Sequence, residues 1–140
     1  MVVACLLHAI GHLLHDDARK AYQDGVDDTH EDLGGAWLRD RFPAVIVEPV
    51  AMHAASKRYL CATEPRYWAA LSDGSQRTLK AQGGPMPADE CAAVESRPHF
   101  ERAVELRRCD DLGKDPEDHR ESIDDYRETL TRVLEAFVKA

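Results

Sequence analysis

Apolar residues recur at helical spacing along most of the chain, and no segment shows the strict alternation typical of a half-buried strand. The pattern is clearest from about residue 121 to 139, where large apolar side chains repeat every three or four positions. We expect this stripe to face the core, and it consists of Ile123, Tyr126, Leu130, Val133, Leu134 and Phe137. The pattern predicts an all-α protein without internal repeats.

Turn and capping residues predict where the first helices begin and end. One helix is expected over residues 2–14, followed by a polar stretch with a short helix through Ala21 and a loop at Gly25. Asp28 and Glu31 have the spacing of a capping box, which predicts that the next helix begins at Asp28.

Prolines and a serine divide the rest of the chain. The second long helix is expected to end before Pro43, since the residue before a proline disfavours helical geometry. Pro49 is predicted to open a helix reaching about residue 62, and Ser72 to cap a later one. Further helices are predicted over residues 67–71, 73–82, 87–96, 98–110 and 121–139.

Length and charge limit the class of protein. A chain of 140 residues with a hydrophobic fraction of 44% is expected to form one soluble domain over residues 1–140. No apolar run approaches the roughly 20 residues that span a bilayer. A net charge of −8 disfavours nucleic acid and anionic membranes as partners. Four cysteines without C-x-x-C spacing favour reduced thiols and a cytoplasmic location.

Several imidazoles and one carboxylate lie on or beside the predicted helices. His8 and His12 are four residues apart, so one helix would carry both on the same face. Such a pair is either part of a metal or substrate site, or two hydrogen-bonded core histidines. His30, His53 and Asp110 follow on separate helices. This donor set suits iron, zinc or manganese, which makes a metal site and a set of independent core histidines comparable alternatives.

The run from Leu6 to His12, Leu-Leu-His-Ala-Ile-Gly-His, differs by one residue from the His-Asp-Ile-Gly-His signature of the HD-domain superfamily. Longer segments resemble the HD-domain oxygenases of phosphonate-degradation operons, the PhnZ-like proteins. The resemblance covers essentially the whole chain, and the segment from residue 48 to 61 is more diagnostic than the HD signature. The other similar segments are residues 27–31, 35–38, 82–86 and 106–111.

The resemblance implies an all-helical HD-domain bundle with a di-iron centre. The family uses O₂ to oxidise a small organophosphonate, a 1-hydroxy-alkylphosphonate, and cleaves its C–P bond to release phosphate. By motif, the iron ligands would be His8, His30, His53 and Asp110. The residues that hold the phosphonate and hydroxyl groups would be His12, Lys57, Ser75 and Arg107.

This chain departs from the family pattern in two places. Ala9 stands where the family has the aspartate that bridges both metals, and a methyl group cannot coordinate. The family also supplies a further His ligand, and often a Tyr, upstream of the signature, which suggests that this chain is N-terminally truncated. We therefore expect no normal di-iron centre and weak or absent activity. An uncovered apolar first helix would favour a homodimer.

Other interpretations stay open at this point. One is a non-catalytic module that binds phosphonate or phosphate through Lys57, Ser75 and Arg107, and another is an HD-type phosphohydrolase. Lys57 and Arg107 are alternatively solvated charges on helix surfaces, and Ser75 an ordinary first-turn residue. Asp111 is the alternative to Asp110 as the metal carboxylate.

Overall fold

The structure is a computed structural model that describes residues 1–16, 20, 23–113 and 122–139. No strand occurs within these ranges, so the all-α prediction is confirmed. The predicted short helix through Ala21 lies largely outside the described residues. The helices are α1 Val2–Leu7, α2 Gly11–Leu14, α3 His30–Arg39, α4 Ala44–Ala51, α5 His53–Thr63, α6 Tyr67–Ala70, α7 Asp73–Ala81, α8 Ala88–Glu95, α9 Phe100–Leu112 and α10 Arg127–Val138, with a 3-10 turn at Ile123–Tyr126.

The helix predicted over residues 2–14 is broken in its middle. α1 ends at Leu7 and α2 begins at Gly11, and the Ile10 N–H donates to the Leu7 carbonyl three residues back at 3.1 Å. A Cβ atom at Gly11 would lie 1.8 Å from the carbonyl oxygen of His30, so α2 packs against the start of α3 backbone to backbone. One unbroken helix would place His8 and His12 on a common face. With the break, His8 contacts Asp110 and His12 contacts Asp28.

Two apolar clusters hold the helices together. The larger one lies where α1, α3, α4 and α9 meet, and Leu38, Val50 and Leu106 at its centre are completely buried. The smaller one joins α5, α8 and α9 and contains Met52, Met86, Val94 and Ala103. Since α3, α5 and α9 also carry His30, His53 and Asp110, the core fixes the relative positions of these three side chains.

Pro49 does not open a helix as predicted but lies inside α4. Its ring is completely buried, and this packing outweighs the loss of one backbone donor. The break comes instead at Met52, whose N–H donates to the Glu48 carbonyl at 3.0 Å, and α5 begins at His53.

The C-terminal stripe is only partly buried. The helix predicted from residue 121 is a 3-10 turn at Ile123–Tyr126 followed by α10. Leu130, Val133 and Leu134 pack half-buried against the larger cluster, but Ile123 is 58% exposed, so the predicted position of Ile123 in the core is wrong. Within the described ranges, no helix has the length and apolar character needed to cross a bilayer.

Candidate metal and anion site

One cavity of about 330 Å³ collects the side chains that the sequence singled out. It opens between the N-terminal helices α1 to α3 and the helices α5, α7 and α9. Ala9, Ser72, Gly74 and Thr78 complete its wall. All eight predicted site residues line it: His8, His12, His30, His53, Lys57, Ser75, Arg107 and Asp110.

The first group of potential metal ligands is His8, His53 and Asp110. The two Asp110 carboxylate oxygens lie 3.2 Å from Nε2 of His8 and 3.6 Å from Nε2 of His53. Nδ1 of His8 lies 2.7 Å from the Cys5 carbonyl oxygen, which can only accept, so this nitrogen carries the proton. Nε2 of His8 is therefore the nitrogen that faces Asp110, and it is the one placed to bind a metal once it carries no proton.

His53 is held as a neutral imidazole. Burial lowers its pKa well below the usual value, and the nearby Arg107 guanidinium adds to the effect. Its Nδ1 is buried and, among the described residues, has no hydrogen-bond partner. The nitrogen that approaches Asp110 is the other one, Nε2, which also lies 3.3 Å from Nη1 of Arg107. A neutral imidazole is the form in which histidine binds metals.

The second group is His12, Asp28 and His30. One Asp28 oxygen lies 2.7 Å from Nδ1 of His30 and the other lies 2.8 Å from Nδ1 of His12. The two imidazole rings are stacked, with their centroids 3.9 Å apart and their planes 20° from parallel. Burial lowers the pKa of His30, in opposition to the Asp28 hydrogen bond, so His30 also favours its neutral form.

The capping box predicted at Asp28 is wrong. The residue that precedes α3 is Thr29, whose φ of 48° is unusual for a β-branched residue and whose side chain does not cap the helix. The Asp28 carboxylate is turned towards the two imidazoles instead.

The donor atoms suit a transition metal, but the two groups share no bridging side chain of the kind that the family resemblance implies for a di-iron site. Each group offers two imidazoles and one carboxylate, the combination found at open iron(II) sites. The rings of His30 and His53 are 6.0 Å apart, so the two groups adjoin. Ala9 lies in the cavity wall, and within the described residues no side chain belongs to both groups.

Lys57 and Arg107 supply positive charge to the same cavity. They are only 3% and 2% exposed, so their interpretation as solvated surface charges is wrong. Nζ of Lys57 donates to the Thr78 hydroxyl at 2.8 Å across the gap between α5 and α7. Two buried cations beside a cavity suit an anionic ligand.

The Arg107 guanidinium has partners on every side. Its Nε donates to the Tyr67 hydroxyl at 2.9 Å, Nη1 to Asp110 at 2.8 Å, and Nη2 to the Ser75 hydroxyl at 3.4 Å, and it is ion-paired with Asp111. Asp111 contacts Tyr67 and Arg107, whereas Asp110 contacts His8 and His53. This placement favours Asp110 over Asp111 as the carboxylate of a metal site.

Three residues at the site have roles that sequence reasoning did not assign. Asp28 contacts two imidazoles, Tyr67 holds Arg107, and Thr78 accepts from Lys57. The only available signal was for Asp28, which comes two residues before a candidate ligand. Tyr67 and Thr78 lie on other helices, and nothing in local spacing points to them.

Glu31 provides a test of electrostatics at this site. Burial raises its pKa to about 7, and neighbouring acidic residues add to the shift. Because this pKa exceeds that of the unfolded chain, the protonated carboxyl favours folding, and its contribution is lost as the pH rises from about 4.5 through 7. Metal-free Glu31→Gln is therefore expected to exceed wild type in stability by about 2 kcal/mol at pH 8, and to match it near pH 4.5.

Thermal and urea unfolding of the metal-free proteins at the two pH values measure this gain. Asp32→Asn, an exposed change in the same turn, is the matched control and is expected to shift stability by less than about 0.5 kcal/mol. An equal gain for Glu31→Gln at both pH values would contradict the assignment.

Comparison with known proteins finds homologues but no matching family model. Over 114 residues, 81% of this chain, it is 42% identical to 1-hydroxy-2-(trimethylamino)ethyl phosphonate dioxygenase (glycine-betaine-forming) of Leisingera caerulea, of which the match covers 58%. It is 40% identical over 114 residues to hydroxymethylphosphonate dioxygenase of Gimesia maris, of which 57% is covered. An uncharacterised protein of Acanthamoeba polyphaga mimivirus is 31% identical over 137 residues, 62% of that protein.

These relatives are longer than the matched segment, and the chain spans a little under three-fifths of the two dioxygenases. The chain is thus similar, over about four-fifths of its length, to two proteins named as dioxygenases of hydroxyalkylphosphonates.

Proposed function

We propose that this chain is an HD-type phosphonate oxygenase that uses iron and O₂ to cleave the C–P bond of a 1-hydroxy-alkylphosphonate. The observation that supports it most is the single cavity in which metal-ligand groups adjoin two buried cations. The similarity to two named hydroxyalkylphosphonate dioxygenases points to the same chemistry. A phosphohydrolase or a purely binding module explains the buried cations but not the similarity to oxygenases.

Under this proposal His8, His30, His53 and Asp110 hold the metal. Nε2 of His8 faces Asp110, and the neutral state of His53 suits His53 to this role without a prior loss of a proton. Bound iron would supply a Lewis acid for the substrate hydroxyl and a partner for O₂. Asp110 also receives the Arg107 ion pair, so one carboxylate joins the metal side of the cavity to its anion side.

The phosphonate group is held by Lys57, Ser75 and Arg107. Lys57 contributes a point charge and Arg107 a planar fork, and both are already desolvated by the fold. Nη2 of Arg107 makes only a long contact with the Ser75 hydroxyl, at 3.4 Å, so a phosphonate oxygen that accepts from both groups would replace a weak hydrogen bond. His12, whose side chain is 46% exposed, lies at the mouth of the cavity and is placed to bind the substrate hydroxyl.

Phosphate release tests the activity. The protein is loaded anaerobically with Fe(II), mixed with hydroxymethylphosphonate or with 1-hydroxy-2-(trimethylamino)ethylphosphonate, and exposed to O₂. We expect phosphate release that requires both iron and O₂, at a low rate because of Ala9. Tight phosphonate binding without any release would support the binding module instead, and release from phosphate esters without O₂ would support the phosphohydrolase.

Ala9→Asp is expected to strengthen iron binding. Ala9 directly follows His8 in the cavity wall, where the added carboxylate would complete the ligand set that the resemblance implies. Loss of a supporting residue around a metal typically changes affinity by about 10–100-fold, and we expect a gain of at least 10-fold here. Anaerobic Fe(II) titration measures it, and Ala9→Asn is the control of similar size. Equal affinities for the two variants would contradict the proposal.

A further inference from the structure

Asp28 is the only described carboxylate that contacts two cavity imidazoles through their Nδ1 atoms, and we propose that it is a positioning residue for both. In this role it fixes His30 and His12 in the tautomer that presents Nε2 to the cavity. The inference rests on the proposed function, because the role of the two imidazoles as metal ligand and substrate-binding group comes from it.

The contacts have the geometry of two separate hydrogen bonds. Each Asp28 oxygen faces one nitrogen, His30 Nδ1 at 2.7 Å and His12 Nδ1 at 2.8 Å. A carboxylate oxygen accepts, so the Nδ1 nitrogens of His30 and His12 donate to Asp28 and their Nε2 atoms are the nitrogens left for the cavity.

The backbone is arranged to make this contact. Thr29, between Asp28 and His30, has a φ of 48°, in the left-handed region that β-branched residues rarely adopt. This turn brings the side chains of residues 28 and 30 together on the cavity side of the chain. The His30 N–H also approaches Asp28 at 3.4 Å. Unfavourable backbone conformations of this kind persist where the surrounding structure requires them, and they are frequent at functional sites.

The imidazole rings of His12 and His30 have the same orientation, because they are stacked and both contact Asp28. The rings of His12 and His30 are 3.9 Å apart and nearly parallel, and both have Nδ1 directed at the same carboxylate. Their Nε2 atoms therefore lie on the opposite edges, away from Asp28. One acidic residue thus sets the orientation of a proposed metal ligand and of a proposed substrate-binding group together.

Nitrogen NMR of the histidine side chains tests this on metal-free protein and needs no activity. In wild type we expect His12 and His30 to carry the proton on Nδ1. In Asp28→Ala we expect both to shift towards the Nε2-protonated form, which free imidazole favours. In Asp28→Asn the amide has one acceptor oxygen, so we expect only one ring to keep the Nδ1 proton. Unchanged tautomers in Asp28→Ala would overturn the proposal.

Zinc titration followed by the same NMR signals provides the second measurement. We expect Zn(II) to shift Nε2 of His30 while its Nδ1 proton persists, and Asp28→Ala to bind zinc about 10–100-fold more weakly. A zinc-induced shift at Nδ1 would mean that Asp28 and His30 bind the metal side by side, and would overturn the positioning role.

Asp27→Asn is the matched control, because Asp27 is the neighbouring carboxylate and contacts the backbone N–H of Thr29 at 3.3 Å. It removes the same charge next to Asp28, and we expect wild-type tautomers and zinc affinity. If Asp27→Asn lost as much zinc affinity and Nδ1 protonation as Asp28→Asn, a general effect of charge would explain both, and the proposal would be overturned. Because the tautomers are measured without metal, absence of phosphate release would overturn the proposed activity and leave this result standing.

Discussion

Arg107→Ala is expected to cost the folded protein about 3–5 kcal/mol, because it removes one partner from a buried network of charges. The guanidinium is 2% exposed and holds Asp110, Asp111 and the Tyr67 hydroxyl. Without it, two largely buried carboxylates lose the guanidinium that pairs with both of them. Urea unfolding of the metal-free protein measures the loss.

Arg108→Ala is a closely matched control. The Arg108 side chain is 48% exposed and pairs with Glu64 on the surface, so its removal is expected to cost about 0–1 kcal/mol. The same helix loses the same charge one residue away, and only the burial differs. Equal losses for the two variants would contradict the network. Arg107→Lys keeps the charge but not the planar guanidinium, and its loss of stability is expected to lie between those of Arg107→Ala and Arg108→Ala.

Gly11→Ala is expected to separate α2 from α3 and to disrupt the site at its base. The added Cβ would lie 1.8 Å from the His30 carbonyl oxygen and 2.6 Å from its carbonyl carbon, and these backbone atoms cannot rotate away. Overpacking of this kind costs about 1–3 kcal/mol or more. Because the movement displaces His30 itself, we also expect weaker binding of Zn(II) or Fe(II), measured by titration of the folded variant.

Gly34→Ala tests the same helix contact in a milder form. Its Cβ would lie 3.3 Å from the Gly11 nitrogen and 3.4 Å from a methyl group of Ile10, which is tight but tolerable. Alanine also gains about 1 kcal/mol in helix propensity over glycine, so we expect a stability close to wild type. A loss from Gly34→Ala as large as that from Gly11→Ala would show that contact distance is not the cause.

The sequence was sufficient to select the cavity residues but not to arrange them. Family motifs pointed to eight side chains on several helices, and the structure places all eight around one cavity. Lys57 and Arg107 illustrate the limit, because their charge is visible in the sequence but their burial depends on how α5, α7 and α9 pack together. Local patterns contain no information about that packing.

The errors have related causes. Asp28 followed by Glu31 has the spacing of a cap, but a carboxylate that can reach two imidazoles makes stronger contacts there than with the helix end. The helix break at residues 8–10 follows from the close approach of Gly11 to His30, a tertiary contact. Pro49 remains inside α4 because it is buried, which a rule based on proline alone does not anticipate.

Iron content is the measurement that tests the central claim most directly. The protein is loaded with Fe(II) without oxygen, desalted and analysed by mass spectrometry beside His53→Ala and the control His99→Asn. His99 directly precedes α9, and its φ of 65° is one that asparagine tolerates. We expect wild type and His99→Asn to retain about one iron per chain, because His8, His53 and Asp110 form a complete two-histidine, one-carboxylate group whereas Asp28 orients the imidazoles of the other group. His53→Ala is expected to lose this iron. Wild-type protein that retains no iron, or retention that is unchanged in His53→Ala, would contradict the account.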